Sequence, residues 1–429
     1  MNVMIFRNVF PRAVLLASLL LLVAGTSTIS GPHTTFAATK TKHKAVAVAA
    51  PSFEVSGWLP YWRAATSTLD VMPHLNQLTE INPFGYTVKN DGTLYDAANL
   101  NSATSTYAPL IAAARAAHVR VIPTVMSSNT TALDTMLKDP TLRTQHVAAI
   151  VAMVNQNNFD GIDIDYEAKK ASDQPYFTKF LKQLYVGLGK KYLVCTIEAR
   201  TPPEDLNTTS PMSSIQYAND FKALNKYCDR VRFMTYDQES VDKTLNAAAG
   251  TAIYTPVADP AWISKVINLA KNDISARKIE MGVATYGYEY NITPYANGSG
   301  YIYDLLWSFN PRYATQIASS FGITPMRNAS GELAFTYTPT TTPATLPAGT
   351  APANPTVPST QTALLGTAVA HAATDSNALP GTVRYMTWSD SVAIAQKIAL
   401  AKKLGIRGIS IFKMDGGEDQ GLWNILPTK

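Results

Sequence analysis

Residues 159–167 run from Phe159 through Asp160, Gly161, Ile162, Asp163, Ile164, Asp165 and Tyr166 to Glu167. Four carboxylates fall within eight residues. The β-branched Ile162 and Ile164 favour a strand, and successive strand side chains point to opposite faces. Asp163, Asp165 and Glu167 therefore share one face. Ile162, Ile164 and Tyr166 take the other, and Asp160 falls with them. An apolar face laid on helices and an acidic face turned inward suit a strand of a closed parallel barrel. Three like charges in a row raise the pKa of at least one of them. A carboxyl so raised is what a general acid at neutral pH requires. A solvated acidic edge and a Ca²⁺ loop are the competing readings. A loop of the EF-hand type wants Asp, Asn and Gly at loop spacing, without the intervening isoleucines.

The elements that must position these acids are legible along the chain. Eight strands are predicted, over Glu54–Leu59, Glu80–Tyr86, Arg120–Val125, Gly161–Tyr166, Tyr192–Ile197, Arg230–Thr235, Glu280–Thr285 and Gly408–Phe412. Helices separate them. Val147, Ile150, Val151 and Val154 form an apolar stripe before the acidic strand, and Phe177, Phe180, Leu181, Leu184 and Leu188 form another after it. Ile394, Ile398, Ala401 and Leu404 precede the last strand, with Gly405 as the C-terminal cap. The expected fold is α/β, a (β/α)₈ TIM barrel whose site lies at the C-terminal strand ends. Aromatic and polar residues collect at those ends. They are Tyr61 and Trp62 after the first strand, Phe84 and Tyr86 at the second, and Met234, Tyr236 and Asp237 at the sixth. Tyr286 follows the seventh and Phe412 ends the eighth. Rings around carboxylates suit a sugar, whose C–H faces stack on them. An insertion spans about residues 289–382 and is expected to form a small α+β lobe between strands seven and eight. Its Thr/Pro/Ala-rich part, 338–360, reads as mobile.

The chain has 429 residues, 46% hydrophobic and 16% charged, which is ample for a sizeable core. Its net charge is +5, and loss of Arg7 and Arg12 with residues 1–38 lowers this to +3. That mild excess is no nucleic-acid signature. Arg7 and Arg12 precede the apolar run Ala13–Gly25, so residues 1–38 read as a secretory signal peptide or an N-terminal anchor, and 39–52 as a flexible linker. A secreted or wall-associated location follows. The two cysteines, Cys195 and Cys228, are compatible with one disulfide or with a buried free thiol at Cys195. The six histidines show no ligand spacing, so neither a metal nor another cofactor is expected.

The pattern Asp160-x-x-Asp163-x-Asp165-x-Glu167, after Phe159, resembles the signature of family 18 glycoside hydrolases, the chitinase-like enzymes. Met234-Thr235-Tyr236-Asp237 looks like the family's sixth-strand motif, and Tyr286-Gly287 like its seventh. The tail is similar to the bacterial spore-germination and cortex-lytic branch. It carries Trp388-Ser389-Asp390, then Gly405 through Phe412, then Gly417-Glu418-Asp419. The resemblance covers residues 53–429 as one catalytic barrel. It implies substrate-assisted, retaining hydrolysis of β-1,4 bonds after N-acetylglucosamine, in peptidoglycan or chitin-type polymers. Glu167 would be the acid and base, Asp165 would orient the acetamido group, Asp163 would share a proton with Asp165, and Tyr236 would hold the acetamido carbonyl. Asp237, Tyr61, Trp62, Phe84, Tyr86, Met234, Tyr286 and Phe412 would bind substrate, and Asp160 would be structural. Phe412 departs from the family's usual Trp and offers less stacking area. The expected partner is an N-acetylglucosamine polysaccharide bound by a monomer. A non-catalytic sugar-binding protein and an N-glycan endoglycosidase are the alternative readings.

Overall fold

The computed structural model describes residues 53–339 and 383–428. The segments expected to be signal peptide and linker lie outside those residues, as does nearly all of the Thr/Pro-rich stretch. Eight parallel strands close into a barrel. In order they are Glu54–Pro60, Glu80–Val88, the third in two pieces, Gly161–Tyr166, Tyr192–Glu198, Arg230–Met234, Ile279–Ala284 and Gly408–Phe412. The first strand pairs with the second on one side and with the last on the other, which closes the ring. The third splits into Arg120–Val121 and Thr124–Ser127 around Pro123, which has no N–H to give the ladder.

Most apolar residues of the strands face outward, with Trp58, Phe84, Met126 and Phe412 forming a separate cluster. Ile162, Ile164 and Tyr166 pack in the main core with Phe177 and Phe180 of the helix Gln174–Leu188. The inward face is ionic, where such barrels usually hold branched aliphatics. Arg232 is fully buried; its Nε donates to Glu280 (2.7 Å), its Nη2 donates to Glu80, and its Nη1 lies 3.5 Å from Asp163. Below it, Glu54 accepts from Arg230 and Arg407 at 2.6–2.8 Å. Burying charges is costly, and this layer is tolerable because each acid meets a guanidinium.

Cys195 and Cys228 form a disulfide, so the free-thiol alternative falls. The inserted lobe is wider than expected. The seventh barrel strand stops at Ala284, and Gly287–Pro294 already belongs to a five-stranded antiparallel sheet that ends with Val383–Trp388. Gly287 permits the tight crossing, since a Cβ there would sit 2.2 Å from the Thr387 carbonyl oxygen. The helix Pro311–Ser320 covers this sheet through Phe309, Ala314, Ile317, Phe335 and Trp388. Among the described residues no helix is long and apolar enough to cross a membrane.

Candidate active site

The acidic strand delivers its side chains as the pleat requires. Asp163 is held hardest. Its Oδ2 accepts from Trp58 Nε1 (2.9 Å) and Thr124 Oγ1 (2.8 Å), and its Oδ1 accepts from Thr196 Oγ1 (2.8 Å). Asp165, one pleat higher, is buried and its Oδ1 has no hydrogen-bond partner among the described residues. Burial and the neighbouring Glu167, Asp163 and Glu198 push the Asp165 carboxyl well above its usual range. Glu167 continues the ladder, its N–H donating to the Ser127 carbonyl (2.8 Å). Its pKa is pushed up to about 7, first by burial, then by Glu198 and Asp237, against the pull of Lys169. Asp160 lies on the other parity and accepts from the Val121 N–H (2.7 Å), a contact that ties two strand starts together.

Across the barrel mouth stands Tyr236, just past the sixth strand. Burial and then the charges of Asp165, Asp237, Glu167 and Asp163 hold its hydroxyl protonated. Gly282 makes room for its ring, since a Cβ there would lie 2.8 Å from Cε1. Asp237 occupies the left-handed region (φ 57°) and Glu239 likewise (φ 48°). Asp tolerates that conformation better than most residues, and such strain collects at functional sites. Asp237 Oδ1 accepts from the hydroxyls of Tyr286 and of Tyr288 (2.6 Å). A polar recess of 330 Å³ lined by Asn207, Asp237, Gln238, Glu239, Ser240 and Val241 opens beside it.

Phe412 ends the eighth strand at the centre of a group of rings. It lies nearly parallel to Tyr236 at 5.8 Å, and edge-on to Trp58 (5.8 Å), Phe84 (6.3 Å) and Tyr286 (6.1 Å). Trp62 adds to this group against Phe84, and Tyr61 stands edge-on to Trp62 further out. Met234 shares the inward parity of Arg232 and is half-buried at the strand end. Tyr86 is a correction. The ladder to the third strand shifts register between Phe84 and Tyr86, so Tyr86 stands opposite the outward Val125. It is buried in the outer core, with its hydroxyl on Asn101 Oδ1 (2.9 Å), away from the pocket.

Sequence reasoning missed Trp58, Thr124, Thr196, Arg232, Glu198 and Lys169. Thr196 and Glu198 had a usable signal. Asp165 pairs with Thr196, so the next inward step on the fifth strand sets Glu198 beside Glu167. Buried charges on other strands, such as Arg232, announce themselves by no local pattern.

A (β/α)₈ barrel that gathers carboxyl groups over a floor of aromatic rings has the build of a glycoside hydrolase. Residues 57–417 match the model for Glycosyl hydrolases family 18, and the chain belongs to that family. Among curated proteins it is 23% identical over 157 residues to an uncharacterized glycosylase YvbX of Bacillus subtilis, spanning 37% of this chain and 42% of that protein. It is also 23% identical to a cortical fragment-lytic enzyme of Bacillus cereus, over 52% of this chain and 48% of that one. The aligned part is thus under half the length of either relative. In three dimensions it resembles a class V chitinase from Pseudomonas fluorescens, with a TM-score of 0.64, 21% identity, and 87% and 98% of the two chains covered.

Proposed function

We propose that the protein is an exported glycosidase that cleaves β-1,4 bonds after N-acetylglucosamine, in peptidoglycan or a chitin-type polymer, with retention and with help from the substrate. One observation carries this reading. Glu167 is held protonated to about neutral pH, one pleat above an Asp165 oxygen with no partner among the described residues, with Tyr236 facing both. Glu167 donates its proton to the leaving oxygen. The sugar's own acetamido oxygen attacks the anomeric carbon, so no second carboxylate has to act as nucleophile. The free oxygen of Asp165 accepts from the acetamido N–H and Tyr236 donates to its carbonyl. Glu167, now a carboxylate, then takes a proton from the water that opens the ring intermediate. Phe412 and Trp62 stack on the sugar faces, and the smaller ring of Phe412 suits short or substituted glycans better than long chitin chains. A relative described as a cortical fragment-lytic enzyme favours a wall glycan.

The test is product analysis. Purified protein is incubated with sacculi and, separately, with chitin oligomers, and the products are read by mass spectrometry. New reducing ends on N-acetylglucosamine, formed with the β anomer first, are expected. Glu167→Gln should fold as wild type and lose at least ~10²-fold in kcat, the usual contribution of a positioned general acid. Turnover retained by the folded variant, or none by wild type on either polymer, refutes the reading.

A further inference from the structure

Two charged residues beside the pocket are not used by the steps above. Glu198 ends the fifth barrel strand two residues beyond Thr196, which stands opposite Asp165, so it is on the inward parity and one step on, beside Glu167. Its two oxygens are each fixed by one donor, Ala168 N–H at 2.9 Å and Asn219 Nδ2 at 2.9 Å. Asn219 is in turn gripped at its carbonyl by Arg200 (2.6 Å). Lys169 follows Glu167 by two residues, and its side chain is fully buried, which is rare for lysine. Its Nζ donates to the Tyr166 carbonyl, sits 4.8 Å above the Phe177 ring, and approaches Glu198 Oε2 to 3.8 Å. A cation so buried exposes nothing to substrate and costs free energy to desolvate. Its position is explained if its charge acts on the pocket.

We infer that Glu198 is a positioning residue that keeps the proton on Glu167, and that Lys169 is its counterweight. The inference rests on Glu167 acting as the acid. Glu167 is faced by Asp165 on its own strand, Glu198 on the next, Lys169 in the following loop, and Tyr236 and Asp237 past the sixth strand. Two of these, Asp165 and Asp237, are carboxylates that can also serve substrate. Glu198 is bound up with loop backbone and Asn219, so its charge acts on Glu167 without a substrate contact. Lys169 limits the effect, so that Glu167 can still give up its proton during turnover.

The test is the pH profile of kcat/KM for three proteins. A general acid loses activity as pH rises through its pKa, so Glu167 sets the alkaline limb. Glu198→Gln removes a negative neighbour, and the limb should move about 0.5–1 unit to lower pH, a shift kept modest by the 40% exposure of the Glu198 side chain. Lys169→Met should move it to higher pH. A merely structural role lowers the maximum of both profiles without displacing them in opposite directions. The same proteins, with ¹³C-labelled glutamate carboxyls, are titrated by NMR with Glu167→Gln to assign the resonance. That readout needs no turnover, so it decides the inference even if the proposed activity fails. A Glu167 titration midpoint unmoved in folded Glu198→Gln overturns the inference. Glu198→Asp should restore most of the wild-type position.

Discussion

At Glu167 one carboxyl carries both chemistry and a cost. Its folded pKa of about 7 lies above the ordinary 4.5. The unfolded chain therefore releases this proton first as pH rises. Below 4.5 both states hold it and the site costs nothing; between 4.5 and about 7 stability falls, and above that the loss is complete. A displacement of that size corresponds to roughly 3 kcal/mol. Glu167→Gln carries no such proton, so its melting temperature should match wild type near pH 4 and exceed it increasingly up to pH 8. Equal melting temperatures across that range would show that burial does not hold the proton on. The parity of Asp163, Asp165 and Glu167 could be read from the pattern Asp-Ile-Asp-Tyr-Glu, because alternation is a local property. Arg232 and Trp58, which brace Asp163 from other strands, could not, because their partners lie 69 and 105 residues away in the chain.

Strands and helices were legible wherever apolar spacing was regular, as in Phe177–Leu188 and Ile394–Leu404. The misplacement of Tyr86 came from one extra residue at Gly85, which alternation alone does not reveal. The lobe was bounded too narrowly because Gly287 and Tyr288 read as the end of the seventh strand, while from Gly287 onward the hydrogen bonds run antiparallel to Tyr301–Phe309 and Val383–Trp388. The pairing of Cys195 with Cys228 was open because a cysteine in an apolar run looks the same free or bonded. In the fold it joins the outer face of the fifth strand to the end of the helix Phe221–Tyr227, closing a sequence separation of 33. A loop of that size is worth about 3–4 kcal/mol on chain entropy. The double variant Cys195→Ala/Cys228→Ala should lose that much in denaturant unfolding. Reductant should lower the wild-type midpoint and leave the variant's unchanged; a wild type indifferent to reductant would contradict the assignment.

Over the whole molecule, the lobe matters because its first strand supplies the Tyr288 hydroxyl, which grips Asp237 together with Tyr286 at the junction with the barrel. One buried carboxylate ties the lobe to the barrel. Glu332 accepts from the backbone N–H groups of Val257 (2.9 Å) and Ala258 (3.0 Å), which precede the helix Pro260–Ala270. It also accepts from Ser389 Oγ (3.2 Å) and from Lys397 Nζ (3.1 Å) on the helix Ser391–Lys403. Glu332 thus joins the lobe sheet to two barrel helices, and both it and Lys397 are out of water. Removing one partner of such a pair strands the other charge, at a cost of about 3–5 kcal/mol. Glu332→Ala should be destabilised by that amount. Adding Lys397→Met should recover part of the stability, because no buried ammonium is then left unpaired, but the two backbone N–H groups stay unsatisfied. The lobe would remain loose in that double variant, so KM should rise while the alkaline limb of the pH profile stays in place. A loss under about 1 kcal/mol in Glu332→Ala would mean that apolar packing holds the lobe and that Glu332 only completes it.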